Sequence, residues 1–192
     1  MQKIFLVLSL MGLAGCSTSV KEYRNNMPPL VLEDFFSGHL VAHGLVKGRS
    51  GIVKRRFSAT IDARWNGQTG WLDEQFLFDD GEEQKRCWTL VKTDQGYNGT
   101  AGDVVGIANG IVAGNTLHWV YQLKVPVNGK EWTLTLDDWL VLIDQDTMIN
   151  TTEMRKWGFK VGELVLSIRR VDEAAQGSFE QCPAPLEMAK FG

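Results

Sequence analysis

Between Gly102 and Val125 the chain alternates with a period of two, and most of the remaining sequence repeats that pattern. Leu117, Trp119, Tyr121, Leu123 and Val125 share one face of an extended segment; Thr116, His118, Val120, Gln122 and Lys124 share the other. The preceding run sets Gly102, Val104, Gly106, Ala108, Gly110, Val112 and Gly114 on one face. A face this small leaves room for bulk opposite it, either neighbouring aromatics or a ligand. Alternating runs cover 35–47, 52–65, 69–79, 83–93, 103–113, 115–127, 130–143 and 160–170, separated by turn pairs such as Asn66-Gly67, Asp80-Gly81, Gly114-Asn115 and Asn128-Gly129. Runs of this length exceed the usual ~5–6 residues of a strand. Long strands joined by hairpins predict an all-β chain, an antiparallel up-and-down, lipocalin-like β-barrel of about 8–10 strands. One short helix is expected near 152–158, with Glu153 to Trp157 stopped by Gly158.

The same period assigns faces. Phe36, Leu40, Ala42 and Val46 point one way, and so do Val53, Arg55, Phe57, Ala59, Ile61 and Ala63, then Leu72, Glu74, Phe76 and Phe78, then Arg86, Trp88 and Leu90. A two-residue turn at Asn66-Gly67 pairs Phe57 with Phe76. An odd loop at Asp80-Gly81, with Gly81 at a bulge, sets Trp88 opposite Glu74 and turns Cys87 outward. Arg55, Glu74 and Arg86 therefore stand on apolar faces beside Trp88, and buried charges are rarely left unpaired. Two expectations follow: an ion-pair network that locks the register, or a cationic spot that receives an anionic head group in an apolar pocket. In this register Glu74 pairs with Arg86 and Arg55 must find another partner; an inward Asp138, water or a bound anion would neutralise the remainder.

The N-terminus reads as an address. Ile4 to Leu13 is an apolar run after Lys3, too short for the ~20 residues that span a bilayer and suited to a signal-peptide core. Leu13-Ala14-Gly15-Cys16 resembles the bacterial lipobox, which implies lipidation at Cys16; Ser17 implies transfer to the outer membrane. The expected organisation is a lipoprotein signal peptide at 1–15, a lipidated N-terminus and flexible tether at 16–30, a barrel at 31–171 and a C-terminal tail at 172–192.

Composition narrows the partners. The 192 residues carry a formal net charge of -3, and loss of Lys3 with the leader makes it more negative. That argues against nucleic acid and against electrostatic attachment to anionic lipid. Cys87 and Cys182 remain as a candidate disulfide in an oxidising envelope. No metal site is expected: on a strand His39 and His43 stand about 13 Å apart, too far to share an ion. No catalytic motif is present, no cofactor is implied, and Asp137 and Asp138 point to opposite faces, so they cannot serve one bond.

Taken in order, the lipobox, Arg55-Arg56-Phe57, Leu72-Asp73-Glu74-Gln75-Phe76, Asp80-Gly81-Glu82, Arg86-Cys87-Trp88, Gly102 to Asn115, Asp137-Asp138-Trp139 and Gly158 to Gly162 resemble a family of Gram-negative lipoproteins, domain of unknown function 3833. The resemblance covers most of 35–170 and implies a lipid-anchored envelope protein with no assigned activity. At fold level the plan is similar to calycin barrels such as lipocalins, and fold does not fix function. The expected function is that of an outer-membrane lipoprotein facing the periplasm. Its barrel would bind a small amphiphile such as a lipid or fatty acid, or the protein would act as an accessory through protein contacts; a hydrolase is a third reading. An apolar cavity of ~300 Å³ or more favours binding, and a core filled by Trp and Phe favours the accessory role.

Overall fold

The computed structural model describes residues 18–127, 129–171 and 182. Ten strands follow one another: β1 (Gly38–Gly48), β2 (Val53–Asn66), β3 (Thr69–Phe78), β4 (Glu83–Thr93), β5 (Gly96–Thr100), β6 (Val104–Ala113), β7 (Thr116–Val127), β8 (Lys130–Leu142), β9 (Thr147–Lys156) and β10 (Phe159–Arg170). Each pairs antiparallel with its neighbours in sequence, and β1 pairs with β10 to close the barrel. Closure leaves no open sheet edge. Apolar side chains face in, as Leu40, Ala59, Leu72, Leu90, Leu117 and Met148 do, while Gln75, Gln122, Lys124 and Arg155 face out. That is the reverse of a membrane-spanning barrel, whose outer band is apolar.

The predicted faces agree with this barrel except at Val53, which pairs with Lys47 across a register shift and is exposed, and the predicted pairings are displaced by two residues. Asn66 pairs with Thr69, so the turn is Gly67-Gln68 and Phe57 meets Phe78 instead of Phe76. In the next hairpin Phe78 and Glu82 flank Asp79-Asp80-Gly81, an odd loop, which puts Arg86 directly opposite Glu74 and Trp88 opposite Leu72. A shift of two preserves every face.

Three expectations are corrected. The helix near 152–158 is absent, because Glu153 to Lys156 end strand β9. Along β9 Met148, Asn150 and Thr152 are buried at alternate positions, and Gly158 serves a two-residue turn with Trp157 instead of stopping a helix. The uniform small face of 102–114 breaks at a bulge between Val105 and Asn109, where Gly106 is exposed with φ of 74°. The tether is no free chain from Thr18 on. Ser19 caps a 3₁₀ turn at Val20–Tyr23, Val20 is buried, and Leu30 N–H donates to the Gly114 carbonyl at 2.8 Å. Gly114, at φ of 55°, lies directly under the Tyr23 carbonyl, where a Cβ would collide.

One end of the barrel is plugged. A single helical turn, α1 (Leu32–Phe35), buries Leu32 and Phe35, with Leu30 and Phe36 buried beside it. The Tyr97 hydroxyl accepts from Leu32 N–H at 3.1 Å, and the Trp65 indole donates to the Phe36 carbonyl at 2.8 Å. The opposite end carries the hairpin tips β1–β2, β3–β4, β5–β6, β7–β8 and β9–β10.

Candidate ligand cavity in the barrel

Small residues on β5 and β6 let large ones from β4 and β7 reach the axis. A Cβ at Gly99 would stand 3.0 Å from both the Trp88 and Trp119 rings, and one at Gly110 would press on Leu117 and Trp119. The space opposite the small face is thus taken by indoles. Trp88 and Trp119 stack at 5.4 Å between ring centroids, and Tyr121 meets Trp88 edge-on at 5.6 Å. Such pairs add ~0.5–1.5 kcal/mol beyond burial.

What these aromatics leave is a cavity of about 110 Å³. Its walls run from Leu32 and Phe36 at the plug to Phe57 and Phe76 toward the open end, and Glu74, Arg86, Trp119, Tyr121, Asp138 and Asn150 also line it. The volume lies below the ~300 Å³ of ordinary ligand sites.

The polar side chains form two groups, Arg86 with Asp103 and Glu74, and Asp138 with Tyr121. Arg86 on β4 donates from Nε and Nη2 to the Asp103 carboxylate, at 2.9 and 2.7 Å to Oδ2. Its Nη1 lies 3.7 Å from Glu74 Oε2. Asp138 on β8 accepts from the Tyr121 hydroxyl at 2.8 Å. Burial pushes the Glu74 carboxyl up to about 7, with Arg86 pulling it back. Burial likewise lifts Asp138 to about 6 against the hydrogen bonds of Thr152, Tyr121 and Asn150. Burial also opposes the Arg86 charge, and Glu74 and Asp103 more than offset it, so its pKa stands above the ordinary arginine value. Both carboxyls can thus hold or release a proton near neutrality, as hydrogen-bond donors in one state and acceptors in the other.

Glu74, Arg86 and Trp88, singled out in the sequence, come together here. Arg55 does not join them. It sits at the open end over the Phe78 ring at 3.7 Å and donates to Asp80 at 2.8 Å and Glu82 at 2.9 Å. The expected net-positive interior is therefore corrected to an acid-rich one: among the described residues Glu74 and Asp138 line the cavity with Arg86, and the partly exposed Asp103 meets Arg86 from its edge. Tyr121 and Trp119 were legible as inward positions. Asp103 was not: alternation over 103–113 sets it on the face opposite Val104, whereas it lies in the turn before β6 and reaches Arg86 from there. On the outer wall, Cys87 and Cys182 are disulfide-bonded with Cα atoms 5.1 Å apart. His39 pairs with Asp62 at 2.8 Å and His118 with Asp137 at 2.9 Å, each across neighbouring strands. Cys16 lies outside the described residues.

Among solved structures the barrel is similar to the S-type phycobiliprotein lyase CPES from Guillardia theta, with TM-score 0.54 and 10% identity over 81% of this chain and 100% of that one. It is also similar to a de novo designed fluorescence-activating β-barrel (TM-score 0.40, 9% identity, 74% of this chain and 99% of that one) and to EF1p2_mFAP2b bound to DFHBI (TM-score 0.42, 8%, 71% and 94%). At these identities the likeness is one of fold. No curated protein matches the chain. The family model described as "Protein of unknown function (DUF3833)" matches residues 10–170, and the chain belongs to that family.

Proposed function

We propose that the protein is a lipid-anchored envelope protein, attached through Cys16 to the outer membrane and facing the periplasm, whose barrel binds a small molecule with an apolar body and a hydrogen-bond-donating polar end. One observation carries the ligand: Glu74 Oε2 and Trp119 Nε1, both buried on side chains that line the cavity, have no hydrogen-bond partner among the described residues. Leaving a buried polar group unmatched costs ~1–3 kcal/mol. A hydroxyl could satisfy both atoms, donating to Glu74 and accepting from the Trp119 indole; an ammonium could satisfy Glu74 alone. A fatty-acid carboxylate would instead meet Glu74 and Asp138, so the acid-rich set favours an alcohol or amine over an anionic head group.

Size limits what enters. A cavity of about 110 Å³ is smaller than the ~150 Å³ that takes one benzene ring. Only the polar end and a few carbons fit behind Phe57 and Phe76 without movement of the walls. The tight Trp88–Trp119 stack supports a second reading, an accessory protein whose barrel is filled by its own side chains. Native mass spectrometry of residues 18–192, purified without detergent, separates the two. A co-purified small molecule that is lost in Glu74→Gln supports binding; a barrel that is empty in both proteins leaves the accessory role.

The anchor has its own test. Two or three acyl chains hold a protein stably where one does not. Cys16→Ser should therefore move the protein from the membrane fraction to the soluble one. If the variant still sediments with membranes and needs detergent for release, the anchor is wrong.

A further inference from the structure

We propose that the hairpin tips at the open end of the barrel, 48–53 between β1 and β2 and 156–159 between β9 and β10, form a docking surface for an anionic phospholipid membrane. The two tips are neighbours because β1 pairs with β10, Gly48 lying opposite Gly162. They carry the most exposed aromatics of the described residues: Trp157 is 87% exposed and Phe159 70%, with Ile52 at 61% beside them. Water is a poor environment for such rings, whereas the head-group layer of a bilayer suits a Trp with its apolar body and polar N–H.

The backbone adds an independent observation. Trp157 has φ of 51° and Gly158 φ of 83°, so both central residues of the turn are left-handed. Such a turn favours Asn-Gly, and a bulky side chain in this conformation is a true outlier. The chain holds an indole at an unfavourable position where it touches little of its own barrel. Strain of this kind points to function.

Charge selects the partner. Most acids near these tips are already engaged; Glu83 is exposed with no ion pair among the described residues. Asp79 pairs with Arg56, and Asp80 and Glu82 pair with Arg55. Glu153 and Glu163 are held by Arg155, Lys160 and Lys47, and Glu131 by Lys124. Arg49, Lys54 and Lys130 are exposed with no ion pair among the described residues. Lys156 lies over the Trp132 ring at 3.1 Å and 4.7 Å from that of Trp157. The surplus is cationic and surrounds the exposed rings, which complements lipid phosphates. Global net charge misses this, because charges farther apart than the Debye length of ~8 Å are screened from one another. Thr18 borders the outer wall of β8 to β10 beside Thr151, Arg155 and Val165. Two residues of chain reach at most ~7 Å, so an anchor at Cys16 would keep this wall near a bilayer. The docking surface itself does not require the anchor.

The test uses the full-length protein with phosphatidylcholine vesicles carrying brominated acyl chains, with and without phosphatidylglycerol. Tryptophan emission of the wild type should be quenched more when phosphatidylglycerol is present, and Trp157→Asn should lose most of that quenching. Asn suits the turn, so the variant should melt no lower than the wild type. Equal quenching of the two proteins, or quenching indifferent to phosphatidylglycerol, overturns the proposal. Acylation at Cys16, read separately by mass, decides the anchor without deciding this surface.

Discussion

Serine at both Cys87 and Cys182 is expected to lower the stability of the barrel by about 4–5 kcal/mol in the chain-entropy account of a cross-link this long. The bond joins residues 95 apart in sequence, so it ties β4 to the C-terminal region across most of the barrel. Local contacts act in the same direction. Cys182 is buried, and its N–H donates to Asp73 Oδ2 at 3.3 Å. Asp73 faces outward from β3 directly opposite Cys87, yet it is fully buried. Losing the bond frees the residue that helps cover this carboxylate. For a chain of this length the loss corresponds to a melting midpoint lower by roughly 10–20 °C. Thermal melts with and without reductant, on the wild type and the double variant, measure it. Reduction should bring the wild type to the variant's midpoint and leave the variant unmoved. An unchanged midpoint, or two free thiols in the unreduced unfolded protein, would refute the cross-link.

How much of this was legible depended on what period two can see. It fixed which side chains face in, because a register error of two residues leaves Phe57, Phe76, Glu74 and Arg86 on the same face. It could not fix the pairings, because Asn66-Gly67 and Asp79-Asp80-Gly81 each permit more than one loop. β5 escaped because Gly96, Asn98 and Gly99 are poor strand formers; Gly99 is there to admit two indoles, a tertiary reason invisible in a local window. The end of β9 read as a helix because Gly158 is an equally good stop for a helix and centre for a hairpin. The interior charge was misjudged for a similar reason. Arg55 looks inward by alternation, but it lies near the strand's beginning, where the chain has reached the barrel's end and acids on the next tip can meet it. Asp103 reaches Arg86 from a turn.

Arg86→Met is expected to destabilise the protein strongly at alkaline pH and much less in acid. Wild-type Glu74 has its carboxyl raised from 4.5 to about 7. Between those values the folded chain holds a proton that the unfolded chain has released. Stability therefore falls as pH rises across that window, by about 3 kcal/mol in all, and is level above it. Near pH 5 Glu74 is neutral, and removing Arg86 costs little beyond its hydrogen bonds to Asp103, which is partly exposed and can turn to water. Near pH 8 the wild type buries an ion pair. The variant must bury Glu74 as a lone carboxylate or keep it protonated against the solvent, and breaking such a pair costs ~3–5 kcal/mol. Glu74→Gln should behave oppositely. Arg86 keeps both hydrogen bonds to Asp103, so nothing is stranded, and the fall in stability between pH 5 and pH 8 should shrink toward that of Asp138 alone, whose own window runs from 3.8 to about 6. Urea unfolding of the three proteins at both pH values checks the pattern. An Arg86→Met loss that is equal at pH 5 and pH 8 would show that Glu74 is not the group that titrates.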